Sequence, residues 1–116
     1  VNILDTYYKE YETILKPFLK ENKVDGIITT GESAAVAAMK AAIKTGHKIP
    51  KDLSVVAFSN GILARHSSPK MTTISQHGEI MGETAAQILI DKLEKKHTEV
   101  TTKVINTDLV IRDSTR

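Results

Sequence analysis

A short turn of small and polar residues is the first part of the sequence whose residue types could do chemistry. Residues 29–33 (TTGES) lie between a β-branched apolar run and an alanine-rich segment of high helix propensity. If this turn joins a strand to a helix, its free N–H groups and the helix dipole favour an anionic or hydroxyl-rich ligand. The alternative is that Ser33 or Glu32 only caps the helix. The turn lacks the GxxxxGK[ST] phosphate loop, the GxGxxG dinucleotide motif and the GxSxG nucleophile elbow, so it does not indicate nucleotide binding.

The histidines are candidate metal ligands or acid–base groups. The chain has four of them: His47, His66, His77 and His97. None has a second ligand at HxxxH or HExxH spacing, and each lies in or beside a polar loop. Cysteine is absent, so the chain cannot build a thiolate metal site. We therefore predict solvated loop histidines, no bound metal and no cofactor.

The sequence contains the residue types of a Ser-His-Asp nucleophilic set, for example Ser59, His66 and Asp52. Any chain with many Ser and Asp residues permits such a combination, so its specificity is negligible. We predict that the chain is not an enzyme, with an α/β enzyme kept as an alternative.

The length and composition describe one domain. The chain has 116 residues, of which 41% are hydrophobic and 26% charged, close to the average for globular proteins and enough for a single core. The formal net charge of +2 is too small to indicate a nucleic-acid surface. No apolar run approaches the ~20 residues of a membrane span. The sequence begins at Val1 without an initiator Met, which predicts a piece excised from a longer protein.

Hydrophobic periodicity gives the elements that must position these residues. We predict helices over residues 7–21, 34–44 and about 78–96, buried strands over residues 24–30 and 53–58, and a short extended segment over residues 71–74. Residues 59–71 are predicted to be a long connection without regular structure, and residues 100–111 a pair of strands broken near Asn106. Pro17 predicts a kink near residues 13–16 of the first helix. Val36, Met39 and Ile43 are expected to mark the buried line of the second helix.

Alternating helices and short buried strands indicate an α/β fold with a mainly parallel sheet. In such sheets, ligands bind beyond the carboxyl ends of the strands. The expected site is therefore formed by the turns at residues 29–33 and 58–62.

Five sequence motifs follow one another in an order that is specific in combination. The most informative is residues 46–58 (GHKIPKDLSVVAF), which is similar to the run G-x-x-I/V-P-x-D-I/L-S-V-V-G-F/Y. The others are DGII at 25–28, SPKMTTISQ at 68–76, MGETA at 81–85 followed by Leu89, and DLVIRDST at 108–115. With these motifs the chain resembles the C-terminal part of the effector-binding domain of LacI/GalR-type bacterial transcriptional regulators.

This resemblance implies a periplasmic-binding-protein-like fold, whose C-terminal subdomain is a three-layer Rossmann-like sandwich with a mainly parallel sheet. Residues 1–116 would form that single subdomain. The resemblance also implies a cytoplasmic regulator whose two subdomains close on a small-molecule effector, often a sugar or a purine. The N-terminal helix-turn-helix and most of the first subdomain are expected to be absent, so the chain alone is not expected to bind DNA, and no membrane contact is expected. A periplasmic sugar-binding transport protein of the same fold is the alternative.

By the same resemblance, residues in the strand-end turns should contact the effector. These are Gly31, Glu32, Ser59, Asn60 and Gln76. Gly31-Glu32 stands where the family usually has Asn-Asp, and Ser59 stands where it usually has Asp, so the identity of the effector stays open. A carboxylate that would accept charge-assisted hydrogen bonds from sugar hydroxyls is missing at Ser59. Glu32 either replaces that acceptor or only caps its helix.

The resemblance further implies a homodimer. The interface residues are expected on the second helix and in the loop before the Thr-Thr-Ile motif: Val36, Met39, Lys40, Ile62, Leu63, Arg65, His66 and Ser67. Two adjacent apolar residues in that Gly-bounded loop favour a dimer over a monomer. The helix at residues 78–96 would normally pack on the absent subdomain, so we expect it to be exposed or paired with a neighbouring chain.

Overall fold

Four helices and four strands make up the computed structural model, which describes residues 3–94 and 99–116. In chain order they are α1 (Ile3–Glu21), β1 (Gly26–Thr29), α2 (Glu32–Lys44), β2 (Ser54–Phe58), α3 (Ile62–His66), β3 (Thr72–Ser75), α4 (Gly78–Leu93) and β4 (Asp108–Val110). Helix α1 continues through Pro17. Lys96, the predicted end of the last helix, lies outside the described residues.

The sheet has the strand order β1-β2-β3-β4. Its first three strands are parallel, and β4 runs antiparallel to β3, with Ile74 opposite Leu109. The α/β fold with a mainly parallel sheet is therefore confirmed. Because of these directions, the carboxyl ends of β1, β2 and β3 meet the start of β4 at one edge of the sheet.

The core lies between α2 and one face of the sheet. Leu53, Val55 and Ala57 are fully buried there, against the alanine-rich side of α2. The prediction that larger residues mark the buried line of α2 is only partly right, because Ile43 is 52% exposed and Val36 is only partly buried. The buried positions of α2 are six alanines and Met39. Small side chains let the helix backbone approach the sheet closely.

The C-terminal tail is held to the sheet by a buried polar residue, Ser114. Its Oγ accepts a hydrogen bond from the backbone N–H of Thr72 (2.8 Å) and donates one to the carbonyl oxygen of Val55 (2.5 Å). Its own carbonyl oxygen accepts from the N–H of Val55 (2.8 Å). A buried polar group is stable only when it is paired in this way, so the tail is anchored across β2 and β3.

Two expectations about irregular segments are wrong. The connection at residues 59–71 contains the short helix α3, whose buried Ala64 lies in the core. Residues 100–111 hold one strand rather than two, since only β4 pairs with the sheet, while Val100 and Val104 are 91% and 84% exposed. An alternating segment becomes a strand only where a neighbouring strand takes its hydrogen bonds, and no strand in the described residues pairs with residues 100–107.

Helix α4 lies apart from this core. None of its residues is buried, and its apolar side chains are largely exposed, as Leu89 (59%) and Leu93 (73%) illustrate. The radius of gyration is 18.4 Å, against roughly 13 Å for a compact domain of this length. The expectation that this helix would be exposed or paired is consistent with its exposure. No helix in the described residues has the length and apolar composition of a membrane span.

Candidate functional site

Two predicted turns meet around one cavity at the carboxyl edge of the parallel strands. The cavity has a volume of about 290 Å³. It is lined by Thr30, Gly31, Glu32, Ser33, Ala34, Ser59 and Leu63. Ser59 directly follows β2 with a left-handed backbone (φ 78°), which turns the chain sharply at the strand end. Three of the five predicted contact residues, Gly31, Glu32 and Ser59, therefore share one cavity.

Glu32 is the first residue of α2, and its carboxylate reaches across the edge to α3. One carboxylate oxygen accepts a short hydrogen bond from the N–H of Gly61, and the other accepts from the N–H of Leu63 at 3.1 Å. Helix α2 begins after Gly31 with no side-chain cap of its own. Capping was one of the two roles predicted for Glu32. Glu32 does cap a helix, but that helix is α3 and not its own helix, α2.

Asn60 follows Ser59 and is fixed by groups from elsewhere in the chain. Its Oδ1 accepts hydrogen bonds from Arg112 Nη2 (2.5 Å) and Thr73 Oγ1 (3.2 Å). The two donors identify Oδ1 as the bonded oxygen, so the amide N–H groups of Asn60 are the part left to bind another molecule. Arg112 also donates from Nη1 to the carbonyl oxygen of Met71 (2.7 Å), which locks its guanidinium in place. Sequence reasoning quoted Arg112 only as part of a motif and missed this role.

Gln76 is exposed and follows the end of β3, so it stands at the same edge without lining the cavity. The next residue, His77, has a left-handed backbone (φ 51°) and precedes α4. Its Nε2 lies 2.9 Å from an Asp108 carboxylate oxygen at the start of β4. This pair joins the segment that leaves the sheet for α4 to the segment that returns from it.

The nucleophilic set is not assembled. Asp52 precedes β2 and accepts a hydrogen bond from the N–H of Lys48 (2.8 Å), whereas Ser59 follows β2. The strand separates the two residues by roughly 16 Å of extended chain. The described part of the chain also contains no cluster of three metal-ligating side chains. His97 lies outside that part.

An apolar groove lies beside α3, on the surface predicted for dimerisation. It has a volume of about 280 Å³. Its walls come from α2 and from the segment that begins in α3: Val36, Met39, Lys40, Ile43, Leu63, His66, Ser67 and Ser68. Six of the eight predicted interface residues are in this set. Ile62 and Arg65 are exposed outside it.

Two larger cavities lie away from the strand edge. One, of about 620 Å³, runs between α4 and residues 101–103 and is lined largely by polar and charged side chains. The other, of about 940 Å³, surrounds the end of α1 and the segment before β1. Neither adjoins the carboxyl ends of the parallel strands, where this class of sheet binds ligands. Position and hydrogen-bonding groups, rather than size, favour the strand-edge cavity.

Comparison with known proteins agrees with the fold and the motif order. Residues 4–115 match the family model of the periplasmic binding protein-like domain. The chain belongs to this family. Its relatives are LacI-type transcriptional regulators, which confirms the resemblance seen in the five motifs.

Two curated relatives illustrate the similarity of this family member to known regulators. The transcriptional regulator CelR of Thermobifida fusca is 31% identical over 91 residues, which cover 78% of this chain and 27% of that protein. The ribose operon repressor of Halalkalibacterium halodurans is 32% identical over 113 residues, covering 97% of this chain and 34% of that protein. The chain therefore spans about a third or less of the length of these relatives.

A solved structure of a transcriptional regulator CelR–cellobiose complex superimposes on this family member with a TM-score of 0.84. The two are 28% identical, and the match covers 92% of this chain and 33% of the solved one. A structure of a transcription regulator from Lactobacillus plantarum is 30% identical, with a TM-score of 0.82 over 93% of this chain and 41% of that one. The named relatives are regulators of transcription.

Proposed function

We propose that this chain is the effector-sensing lobe of a cytoplasmic LacI-type transcriptional regulator, and that it binds a sugar or a related metabolite without making or breaking a bond. One observation carries the proposal. In a chain that matches the periplasmic binding protein-like family over residues 4–115, Glu32 and Ser59 line one cavity at the carboxyl edge of the sheet. The turns beyond the strand ends are where open α/β sheets bind their ligands.

The hydrogen-bonding groups at this edge suit a neutral, hydroxyl-bearing ligand. The Ser59 hydroxyl both donates and accepts, and the amide N–H groups of Asn60 donate. Asn60 is held by the fold through Arg112 and Thr73, so little of its conformational entropy is lost on binding. The Glu32 carboxylate in the cavity wall opposes an anionic ligand.

This lobe supplies only one wall of a cleft, so the affinity of the isolated chain is expected to be weak. We propose that segments present in the longer relatives supply the other wall, cover the exposed face of α4 and carry the DNA-binding helices. Effector binding would then favour a closed cleft and shift the population of the full protein.

Titration calorimetry with cellobiose and with ribose tests effector binding, since relatives of this chain are described with cellobiose or as a ribose operon repressor. We expect one of the two sugars to bind with a dissociation constant in the millimolar range. Ser59→Ala should weaken this binding about 5- to 10-fold, the loss of one hydrogen bond. Thr101→Ala, in the wall of the α4 cavity, is the matched control and should bind as the unchanged chain does. Equal weakening by both variants, or no heat with either sugar, would contradict the proposal.

We also propose that two copies associate through the groove beside α3. The support is that Ile43, in the wall of this apolar groove, is 52% exposed, and that Ile62, on α3 but outside the groove, is 73% exposed. Exposed apolar clusters of this kind indicate an interaction surface.

Sedimentation equilibrium tests the dimer with two matched isoleucine variants. Ile43→Lys places a charge in the groove and should leave a monomer, whereas Ile14→Lys, on an α1 residue that is 70% exposed and outside the groove, should leave a dimer. A strict monomer in the unchanged chain at high micromolar concentration would overturn this part of the proposal.

A further inference from the structure

The amino end of α3 is held by a side chain from another helix. Helix α3 has only five residues, and its N-cap, Gly61, provides no side-chain hydrogen bond. The Glu32 carboxylate takes that place by accepting from the N–H groups of both Gly61 and Leu63. Hydrogen bonds to an ionised carboxylate are about twice as strong as neutral ones. A helix this short has few internal hydrogen bonds of its own, so the contact with Glu32 fixes its amino end, while the buried Ala64 holds its middle in the core.

Gly61 is shaped for this contact. A Cβ atom built at residue 61 would lie 2.9 Å and 3.0 Å from the two Glu32 carboxylate oxygens. The backbone there has an ordinary negative φ of −89°, so an alanine would be tolerated if the carboxylate were elsewhere. Residue 61 therefore lacks a side chain so that the Glu32 carboxylate can approach, and not because its backbone conformation requires glycine.

Leu63 stands between two cavities. It lines the strand-edge cavity together with Glu32 and Ser59, and it also lines the apolar groove together with Val36 and Ile43. Its backbone N–H is one of the two groups that Glu32 holds. A displacement of the start of α3 would change the shape of both cavities at once.

We infer that Glu32 is a positioning residue that couples the strand-edge cavity to the groove beside α3. A ligand hydroxyl that donates to the Glu32 carboxylate adds a third donor to the N–H groups of Gly61 and Leu63, and it draws the carboxylate towards the ligand and lengthens the two existing hydrogen bonds. Occupation of the cavity then loosens the start of α3, and Leu63 shifts in the wall of the groove. This inference rests on the proposed function, because it assigns to the effector cavity a route by which it regulates association of two copies.

Three variants isolate the contact. Glu32→Ala removes the carboxylate, and Gly61→Ala keeps the carboxylate but displaces it. The double variant Glu32→Ala/Gly61→Ala removes the source of the clash. Ser33→Ala is the matched control, since it trims a polar side chain from the same cavity that has no hydrogen bond to α3.

Amide exchange measured by NMR at Leu63 tests the contact without any ligand. Glu32→Ala and Gly61→Ala should each speed this exchange roughly 10- to 100-fold, as expected for the loss of hydrogen bonds to a charged group. Ser33→Ala should leave it unchanged. Adding Gly61→Ala to Glu32→Ala should have no further effect. Unchanged exchange in Glu32→Ala, or a full additional effect of Gly61→Ala in the double variant, would overturn the inference.

The methyl resonances of Val36 and Ile43 test the coupling to the groove in the same samples. Both residues line the groove. Val36 lies one helical turn from Glu32 on α2, so its shift also reports the substitution itself, whereas Ile43 lies three turns away and carries the test. The Ile43 shift should move in Glu32→Ala and Gly61→Ala but not in Ser33→Ala, and an Ile43 shift that stays fixed in both Glu32→Ala and Gly61→Ala would overturn the coupling. The exchange rates and chemical shifts can be measured whether the chain is a monomer or a dimer, and they need no sugar. A failure of the proposed function is therefore distinguishable from a failure of this inference.

Discussion

Helices α2 and α4 are both rich in apolar residues, yet within the described residues only α2 packs against the sheet. Helix α2 buries six alanines and Met39 within its 13 residues, whereas α4 buries none of its 16. The alanines of α2 fit closely against Val55 and Ala57 of the sheet. The larger side chains of α4, including Ile90 and Leu93, remain 46% and 73% exposed.

This difference shows that an amphipathic pattern predicts a need for burial, but not where the partner lies. An isolated helix of this length is marginal in water, because most helical stability in proteins comes from packing of the apolar face. We expect α4 to gain its packing from segments such as those present in the longer relatives, or from a neighbouring chain. The sheet with α1, α2 and α3 already has a core.

The largest loss of stability should come from removing a large side chain from that core. Leu53→Ala removes a side chain that is fully buried, and should lower the free energy of unfolding by about 3 kcal/mol because it leaves a cavity. Leu89→Ala, on α4, removes the same atoms from a 59% exposed position and should cost no more than about 0.5 kcal/mol. Urea denaturation followed by circular dichroism measures both. Equal losses would mean that α4 is packed as tightly as α2.

A smaller loss of stability should follow from placing a larger side chain in that core. Ala42→Leu adds three carbon atoms to a site with no exposed surface and should destabilise the fold by about 2 kcal/mol. Ala86→Leu adds them to an exposed position of α4 and should leave the free energy of unfolding within about 0.5 kcal/mol of its original value. If the two variants unfolded at the same urea concentration, the close approach of α2 to the sheet would be wrong.

Substitutions of glycine by alanine should change stability in opposite directions in the two regions. Gly82 lies inside α4 with no atom within 4 Å of an added Cβ, so Gly82→Ala should stabilise that helix locally by about 1 kcal/mol. Amide exchange in α4 should slow, while the unfolding midpoint of the sheet stays the same. Gly46→Ala has equal space, but at φ 91° it should destabilise the core by about 1 kcal/mol. A stabilising Gly46→Ala would contradict that backbone assignment.

The smallest effect concerns pH and the two ion pairs of Glu12, of which the pair with Lys44 joins α1 to α2 and the pair with Lys16 lies within α1. Hydrogen bonds from Lys44 (2.6 Å) and, next in weight, Lys16 (3.0 Å) hold the pKa of Glu12 below its usual value of 4.5. A carboxyl with a lowered pKa in the folded state stabilises the protein above its unfolded pKa, and this contribution is lost as the pH falls through the folded value. Glu12→Gln should therefore lower the melting temperature slightly at neutral pH and leave it unchanged in strong acid.

The control for this prediction lies on α4. Asp91 accepts a hydrogen bond from Gln87 at 2.8 Å, and Asp91→Asn should leave the melting temperature of the core unchanged at both pH values. A pH-independent loss in Glu12→Gln would show that its ion pairs do not act through charge.

How much could be predicted from the sequence depended on whether the determining contacts were local. The three parallel strands, α2 and the strand-end turns follow from composition and periodicity over a few residues, and they were predicted with small errors at their ends. The predicted burial of β1 is wrong, because Ile28 is 72% exposed and no residue of that edge strand is buried. Helix α3 was missed because its amino end is capped by Glu32, which lies 29 residues from Gly61. The role of Arg112 was missed because its partner Asn60 is 52 residues away. Val100 and Val104 alternate as in a strand, but no strand in the described residues pairs with them.

The central claim is that the strand edge, and not the larger cavity beside α4, holds the effector. NMR titration with cellobiose and with ribose, followed by mapping of the backbone amide shifts, tests this claim most directly. We predict that a sugar shifts the amides of Gly31, Glu32, Ser59 and Asn60, with smaller shifts at Gln76 and none in α4. Shifts confined to Glu83, Gln87 and Lys103 would contradict the claim and place the ligand beside α4.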